Sequence, residues 1–300
     1  MKKIHNKGII NTRNSLLYVI PVLAVYAICT FVPLIQDIYY SFTDWKLESM
    51  TYGFVGIKNY LRIFRDGVFL TALKNTLILT FSVAILQNAF SLLVAAILNS
   101  KYFVGRNFCR AMIYIPVLIS TMVLGYMWKL LLNPFRGPLK MILTAFGIKD
   151  LANYNVFSDS TMAFAVIIFT MVWHYIGYNM VIYLAGMQNV PPEIYESADI
   201  DGAGPVRKFF SITFPMIMPS VTTNLFINLI GCMKCFEYVY VMTSGGPNHA
   251  TETLATYMYN TSFGQSQPAY GCAISVVLFV LIAIIAVAQV KFTRSKEVEA

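Results

Sequence analysis

Charged side chains are scarce in this 300-residue sequence. Asp, Glu, Lys and Arg together make up 12% of it, about half of the roughly 25% usual in soluble globular chains. Hydrophobic residues make up 57% and the mean hydropathy is +0.63. That balance excludes a soluble enzyme, a disordered regulator and a disulfide-stapled secreted module. No G-x-x-x-x-G-K-[ST] stretch is present to cradle a nucleotide, no H-E-x-x-H pair to hold zinc, and no Ser/His/Asp set to attack an acyl group. His174 stands far from the other histidines, His5 and His249, so no metal-ligand spacing arises. The five cysteines are an odd set in or beside apolar runs. Cys232 and Cys235 spell C-x-x-C, but no second Cys/His pair follows and packing between helices accounts for them. Internal repeats, low-complexity stretches and a separate soluble domain are likewise missing.

What the sequence does have is apolar length. Six runs of about 20 residues can each cross a ~30 Å hydrocarbon core: 16–35, 76–98, 111–132, 162–186, 218–242 and 270–290. The expected fold class is therefore an all-α polytopic membrane protein, one transmembrane domain over 1–300. The first run follows Lys2, Lys3, Lys7 and Arg13, yet it is long for a signal-peptide core and carries Pro21 and Pro33, so it reads as an uncleaved span. A lipoprotein leader does not fit either, because Ile28 precedes Cys29.

Six crossings place both termini on one side. That side collects 12 Lys and Arg and the other 9, which favours an N-in, C-in topology. The net charge of +8 belongs to this flanking pattern and does not point to nucleic acid.

The segment 188–216 then faces the cytoplasm. Pro191-Pro192 opens a helix, with Glu193 and Glu196 near its positive end. Asp201-Gly202-Ala203-Gly204 reads as a turn. Pro205 starts a second helix, expected to stop before Pro215. On the residues alone this hairpin fits two roles equally, a docking element for a cytoplasmic partner or an amphipathic hairpin lying on the membrane.

Within the spans, polar residues fall on two stripes. Asn224, Asn228, Gly231, Cys235 and Tyr238 lie within about 80° of one another on a helical wheel. Thr170, Met171, His174 and Tyr178 share one side of the fourth span, with Tyr175 and Asn179 further round. Amides, hydroxyls and rings suit a sugar, but the same groups also hold helices together. Lys234 and Glu237 flank the fifth-span stripe. Ionised groups at a span's centre cost about 2.5–3.5 kcal/mol each, so the pair must neutralise itself or border water.

The string Glu196-Ser197-Ala198-Asp199-Ile200-Asp201-Gly202-Ala203-Gly204, with Ile212 and Pro215 following, resembles the EAA loop of ABC-importer permeases, Ser197 replacing the first alanine. Further motifs resemble the first permease of the maltose-type carbohydrate branch. Upstream these are Trp173, Gly177, Met180, Tyr183-Leu184-Ala185-Gly186, Gln188 and Val190-Pro191. Downstream they are Thr243-Ser244-Gly245-Gly246-Pro247, Thr251-Glu252-Thr253-Leu254, Tyr270-Gly271 and Ser275-Val276. Near the start, Gly56, Asn59-Tyr60 and Asn75-Thr76 also fit.

The resemblance implies a type I ABC-importer permease fold in a bacterial cytoplasmic membrane. Glu196, Ser197, Ala198, Asp201 and Gly202 would be the contact and hinge positions seated in a separate ATPase. It further implies a second permease, an ATPase dimer carrying ATP and Mg²⁺, and an extracytoplasmic solute-binding protein that the segments Asp37–Lys74 and Gly245–Ala269 face. The cargo would be a sugar, foremost an oligosaccharide, with a monosaccharide or a glycerol phosphate left open. His174, Tyr178, Asn224, Asn228 and Tyr238 are the pathway candidates. No cofactor or metal is expected on this chain. The competing class is a self-sufficient ion-coupled carrier, against which stand the missing inverted repeat and the elaborate hairpin.

Overall fold

Apolar runs of this length in lipid have to close all their backbone hydrogen bonds internally, and helices do so. The computed structural model describes residues 12–49, 51–100, 105–147 and 155–297. Lys2, Lys3, Lys7, Lys101 and Lys149 of the charge count lie outside them, as does the side chain of Arg13. Among the described residues, four helices are long and apolar enough to cross a membrane: α1 (Thr12–Ser41), α3 (Gly67–Asn99), α7 (Ser160–Gln188) and α14 (Pro268–Arg294), with the short α2 (Lys58–Ile63) between the first two. Two bent pairs, Arg106–Leu118 with Thr121–Leu131 and Pro205–Met216 with Met218–Met233, bring the count to six when each pair is one span.

The third crossing is α4 (Arg106–Tyr114), a 3-10 turn at Ile115–Leu118 and α5 (Thr121–Leu131), with a 96° bend between its halves. A straight span over 111–132 is therefore not what forms. Pro116 sits at the start of the 3-10 turn, where it has no N–H to give, and Ile119 and Ser120 then run extended at ψ 136. The chain continues through α6 (Pro138–Ala145) to α7.

The fifth crossing also differs from a continuous 218–242 helix. Its α11 (Met218–Met233) stops at Lys234–Phe236, before the short α12 (Glu237–Met242), and the segment Pro205–Met216 precedes α11 at a 68° bend. The 16 residues of α11 reach about 24 Å at 1.5 Å per residue, too short for the ~30 Å core. The freed carbonyl of Cys235 is satisfied from a distant loop, by the hydroxyl of Thr253 at 2.8 Å. Elsewhere the expected spans hold but run longer, α3 starting nine residues before the expected Thr76.

Buried side chains form three tiers. The outer tier joins Ile63, Phe69, Leu254, Tyr257, Tyr270 and Ile274. A middle tier gathers Leu79, Val83, Leu124, Ile167, Met171, Cys235 and Tyr238, and an inner one Ala95, Leu98, Met180, Met187, Val190 and Ile217. α3 and α7 pack along each other through all but the outer tier, and α11 crosses both. Gly177 lets α4 approach α7 closely, since a Cβ there would overlap the backbone of Ile113 and Tyr114.

On the outer side, motif residues far apart in sequence converge. Asn75 Nδ2 donates to the carbonyls of Ala250 (2.9 Å) and Glu252 (3.0 Å), and Thr76 Oγ1 accepts from Leu254 N at 2.9 Å. Asn59 Nδ2 donates to the carbonyls of Ser41 and Thr43, both at 2.8 Å. Thr253 caps α13 (Leu254–Tyr259) in a capping box with Thr256. Asp66 caps α3 and also accepts from Tyr257 (2.5 Å) and Tyr270 (2.7 Å). Burial opposes ionisation of Asp66, but these two phenols and the amides of Phe69 and Val68 outweigh it and hold the carboxyl below its ordinary value. Leu254, Ala255, Thr256 and Tyr257 are consequently buried, so only parts of Gly245–Ala269, such as Asn248, His249 and Phe263–Gln265, remain exposed.

Candidate functional site

Two features carry the chemistry, a hairpin on the inner side and a cleft in mid-membrane. The hairpin opens where expected. Pro191 and Pro192 start α8 (Pro192–Ile200), Glu193 sits in its first turn, and Ser197 Oγ donates to Glu193 O at 2.9 Å. It ends in a Schellman motif: Gly202 N donates to Asp199 O (3.1 Å) and Ala203 N to Ala198 O (2.9 Å). Gly202 has φ +70 there, a conformation that costs other L-residues about 1–2 kcal/mol.

After the turn, α9 (Pro205–Lys208) runs into a π-helical turn at Phe209–Thr213 and then α10 (Phe214–Met216). The expected stop before Pro215 does not occur. Widening the preceding turn, with Phe214 N bonded to Phe209 O, relieves the clash that a proline ring makes in a regular α-helix.

Lys208 pairs with Asp199 across the hairpin, and Tyr195 OH meets Thr213 Oγ1 at 2.9 Å. Tyr195, Phe209 and Met216 pack on the inner tier made by α3, α7 and Ile217. The hairpin is thus braced internally and seated on the spans. Glu196, Ser197, Asp201 and Gly202 are exposed and Ala198 is buried. Ile200 (88% exposed), Val206 (69%) and Phe210 (65%) are exposed apolar side chains on this otherwise polar element.

The cleft has a volume of about 420 Å³ and is built from the interrupted spans. Gln87 comes from α3, Thr121 from the first turn of α5 beyond the bend, Tyr175 and Tyr178 from α7, and Asn228 and Tyr238 from α11 and α12. Gln87 Nε2 donates to Asn228 Oδ1 at 3.1 Å, while Asn228 Nδ2 finds no protein partner among the described residues.

Of the five pathway candidates, Tyr178, Asn228 and Tyr238 line this cleft. His174 lies behind it, with its Nδ1 2.5 Å from Tyr238 OH, and Asn224 is turned to the backbone of α7, donating to Asn179 O at 3.2 Å. Lys234 and Glu237 are exposed at the cleft's edge and make no ion pair with each other, so the pair does not neutralise itself. Gln87 escaped the sequence reading. Its signal was a third polar stripe, Thr76, Thr80, Gln87 and Ser91, all buried on one side of α3.

Up to six helical crossings among the described residues surround the cleft, with a braced hairpin on the inner face, an arrangement that fits a membrane permease. Residues 87–294 match the family of binding-protein-dependent transport system inner membrane components, and the chain belongs to that family. It is 31% identical over 281 residues to the multiple sugar-binding transport system permease protein MsmF of Streptococcus mutans, covering 94% of this chain and 95% of that one. It is 32% identical to the sn-glycerol-3-phosphate transport system permease protein UgpA of Escherichia coli, covering 93% and 94%. Its fold matches a chain of a bacterial ABC transporter involved in importing the acidic polysaccharide alginate, with TM-score 0.81 at 23% identity over 95% of this chain and 96% of that one. The same fold recurs in the alginate transporter in complex with alginate pentasaccharide-bound periplasmic protein, at TM-score 0.76, 23% identity and 94% and 93% coverage.

The chain is accordingly an inner-membrane permease of an ABC importer.

Proposed function

We propose that this permease carries a neutral sugar, foremost an oligosaccharide, by alternating access of the cleft. The observation that carries the choice of cargo is charge. Among the described residues that line the cleft, Lys234 is the one cation and Glu237 the one carboxylate, so this lining has no net charge to offer an anion. A phosphate group calls for several convergent cations or backbone donors, which disfavours a glycerol phosphate despite the likeness to UgpA. Amides at Gln87 and Asn228, the latter with an unclaimed N–H, match sugar hydroxyls, and Tyr175 and Tyr178 offer ring faces to sugar C–H groups. MsmF, a multiple sugar-binding system by name, lends support.

The power stroke enters through the hairpin. In this reading Glu196, Ser197, Asp201 and Gly202 meet a separate ATPase, with Ala198 packed beneath, and closure of an ATPase dimer displaces the hairpin as a rigid body. A second permease completes the pathway, and an extracytoplasmic binding protein delivers the sugar to the outer face. ATP and Mg²⁺ belong to the ATPase.

The test is uptake into proteoliposomes holding the whole transporter and its binding protein. Uptake of a neutral oligosaccharide that requires internal-side ATP and survives collapse of the proton gradient supports the reading. Uptake driven by an ion gradient without ATP, or of sn-glycerol 3-phosphate in preference to any sugar, refutes it.

A further inference from the structure

Above the cleft, aromatic rings from three elements form a continuous ladder. Phe236, at the break of the fifth crossing, stacks on Tyr240 of α12 at 4.9 Å between centroids and 20° between planes. Tyr259, the last residue of α13, lies 5.1 Å from Phe236 and 5.4 Å from Tyr240. Phe263, in the π-helical turn that follows, is 5.2 Å beyond Tyr259. Phe236 is half-buried, Tyr240 (38%) and Tyr259 (36%) are about equally exposed, and Phe263 is the most exposed at 64%. The foot of the ladder meets the cleft: Lys234 lines both the cleft and a second hollow of about 420 Å³ that Phe236 and Tyr259 help to form, and Glu237 follows Phe236 directly.

We infer that Phe236, Tyr240, Tyr259 and Phe263 are a stacking track for the pyranose or furanose rings of an oligosaccharide, leading from the outer face into the cleft. The inference rests on the sugar reading above and deepens it.

The chemistry is that of ring faces. An aromatic face carries a negative quadrupole, and the C–H face of a sugar ring presents weakly positive hydrogens to it, while the hydroxyls on its rim stay hydrated. Stacking of this kind is directionally tolerant, so a chain of sugar units can advance from ring to ring without breaking a strong bond. A phosphate or a lone small polyol gains little from such a surface. The rings touch one another in an unbroken series from Phe236 to Phe263, and they adjoin the polar edge of the cleft at Lys234 and Glu237.

The track predicts an effect that depends on sugar chain length. The measurement is ATP-dependent uptake by the whole reconstituted transporter with its binding protein, using malto-, arabino- and chito-oligosaccharides of one to five units as probes. Tyr259→Ala is expected to raise KM at least fivefold for members of three or more units and less than twofold for the one- or two-unit members. Tyr259→Phe, which keeps the ring, should restore the wild-type values. Transport of the short members by Tyr259→Ala serves as the control for folding and insertion.

Equal losses at every length, or wild-type KM values throughout, would overturn the track and assign the rings to lipid or to the second permease, leaving the sugar reading intact. If the unmodified transporter moves none of the sugars, the sugar reading fails and the track with it.

Discussion

Gly202 offers the sharpest test of the hairpin as a mechanical part. It occupies the left-handed position that ends α8, at φ +70, and its amide holds the carbonyl of Asp199 at 3.1 Å. A Cβ there would meet no atom within 4 Å, so the penalty for a side chain is conformational and not steric. For alanine that penalty is about 1–2 kcal/mol, a factor of roughly 5–30 in the ratio of the folded turn to its alternatives. Asparagine tolerates the left-handed region better. Proline fixes φ near about −65° and removes the donor, so the turn cannot form at all.

Uptake should therefore rank glycine, asparagine, alanine and then proline, with Gly202→Pro abolishing transport although the protein inserts in the membrane in normal amount. ATP-driven uptake in proteoliposomes, with permease content measured by immunoblot, gives the ranking. Normal uptake by Gly202→Pro, or equal activity in all four, would refute the reasoning.

Other perturbations probe the outer cap, the packing and the cleft. Asp66→Asn removes a charged acceptor shared by Tyr257, Tyr270 and the first turn of α3, and should cost roughly 1–3 kcal/mol, seen as a lower Tm of the detergent-solubilised transporter. Because the carboxyl is held below its ordinary value, the stabilisation from ionised Asp66 is fully present above the unfolded-state value of 3.8. It is lost only as pH falls through the lower folded value, so the wild-type and Asp66→Asn melting temperatures should stay apart at neutral pH and converge in acid. Gly177→Ala forces α4 off α7 and should destabilise by about 1–3 kcal/mol, measured by the same melting experiment; an unchanged Tm would show that the close approach is relaxed at little cost. Tyr178→Ala and Asn228→Ala should each raise the KM for uptake severalfold with protein content unchanged, and wild-type kinetics in both would return these residues to helix packing.

Much of the fold was legible because local chemistry and tertiary structure agree where helices begin and end in sequence. Pro192 and Gly202 bound α8 by their own backbone restrictions, and the apolar runs of α3, α7 and α14 leave helix as their only solution in lipid. The broken spans were harder. Pro116 was a visible breaker, but whether a proline kinks a helix mildly or ends it depends on what takes up the freed carbonyls. At Lys234–Phe236 no proline or glycine marks the break. Its stabilisation comes from Thr253, which is 18 residues away in the chain, and no local pattern records that. The flanking Lys234 and Glu237 were the signal: charges that costly in lipid belong where the helix opens to water.

Of the site, the residues on the lining stripe of α11 and α12 were found by helical periodicity. His174 and Asn224 share that periodicity yet fall behind the cleft, because a 3.6-residue wheel gives the face of a helix and not the depth of its neighbours. Gln87 was within reach of the same wheel applied to α3.

The central claim is that force reaches this chain through the hairpin 188–216 from a separate ATPase. Ser197 is exposed on α8, so Ser197→Cys, in a chain whose five native cysteines are replaced, can carry a short cross-linker without disturbing the core. In the assembled transporter this position should cross-link to a nucleotide-hydrolysing subunit, with a yield that changes between the nucleotide-free and ATP-bound states. A hairpin that cross-links to no such subunit at any stage of turnover, while transport proceeds, would contradict the account.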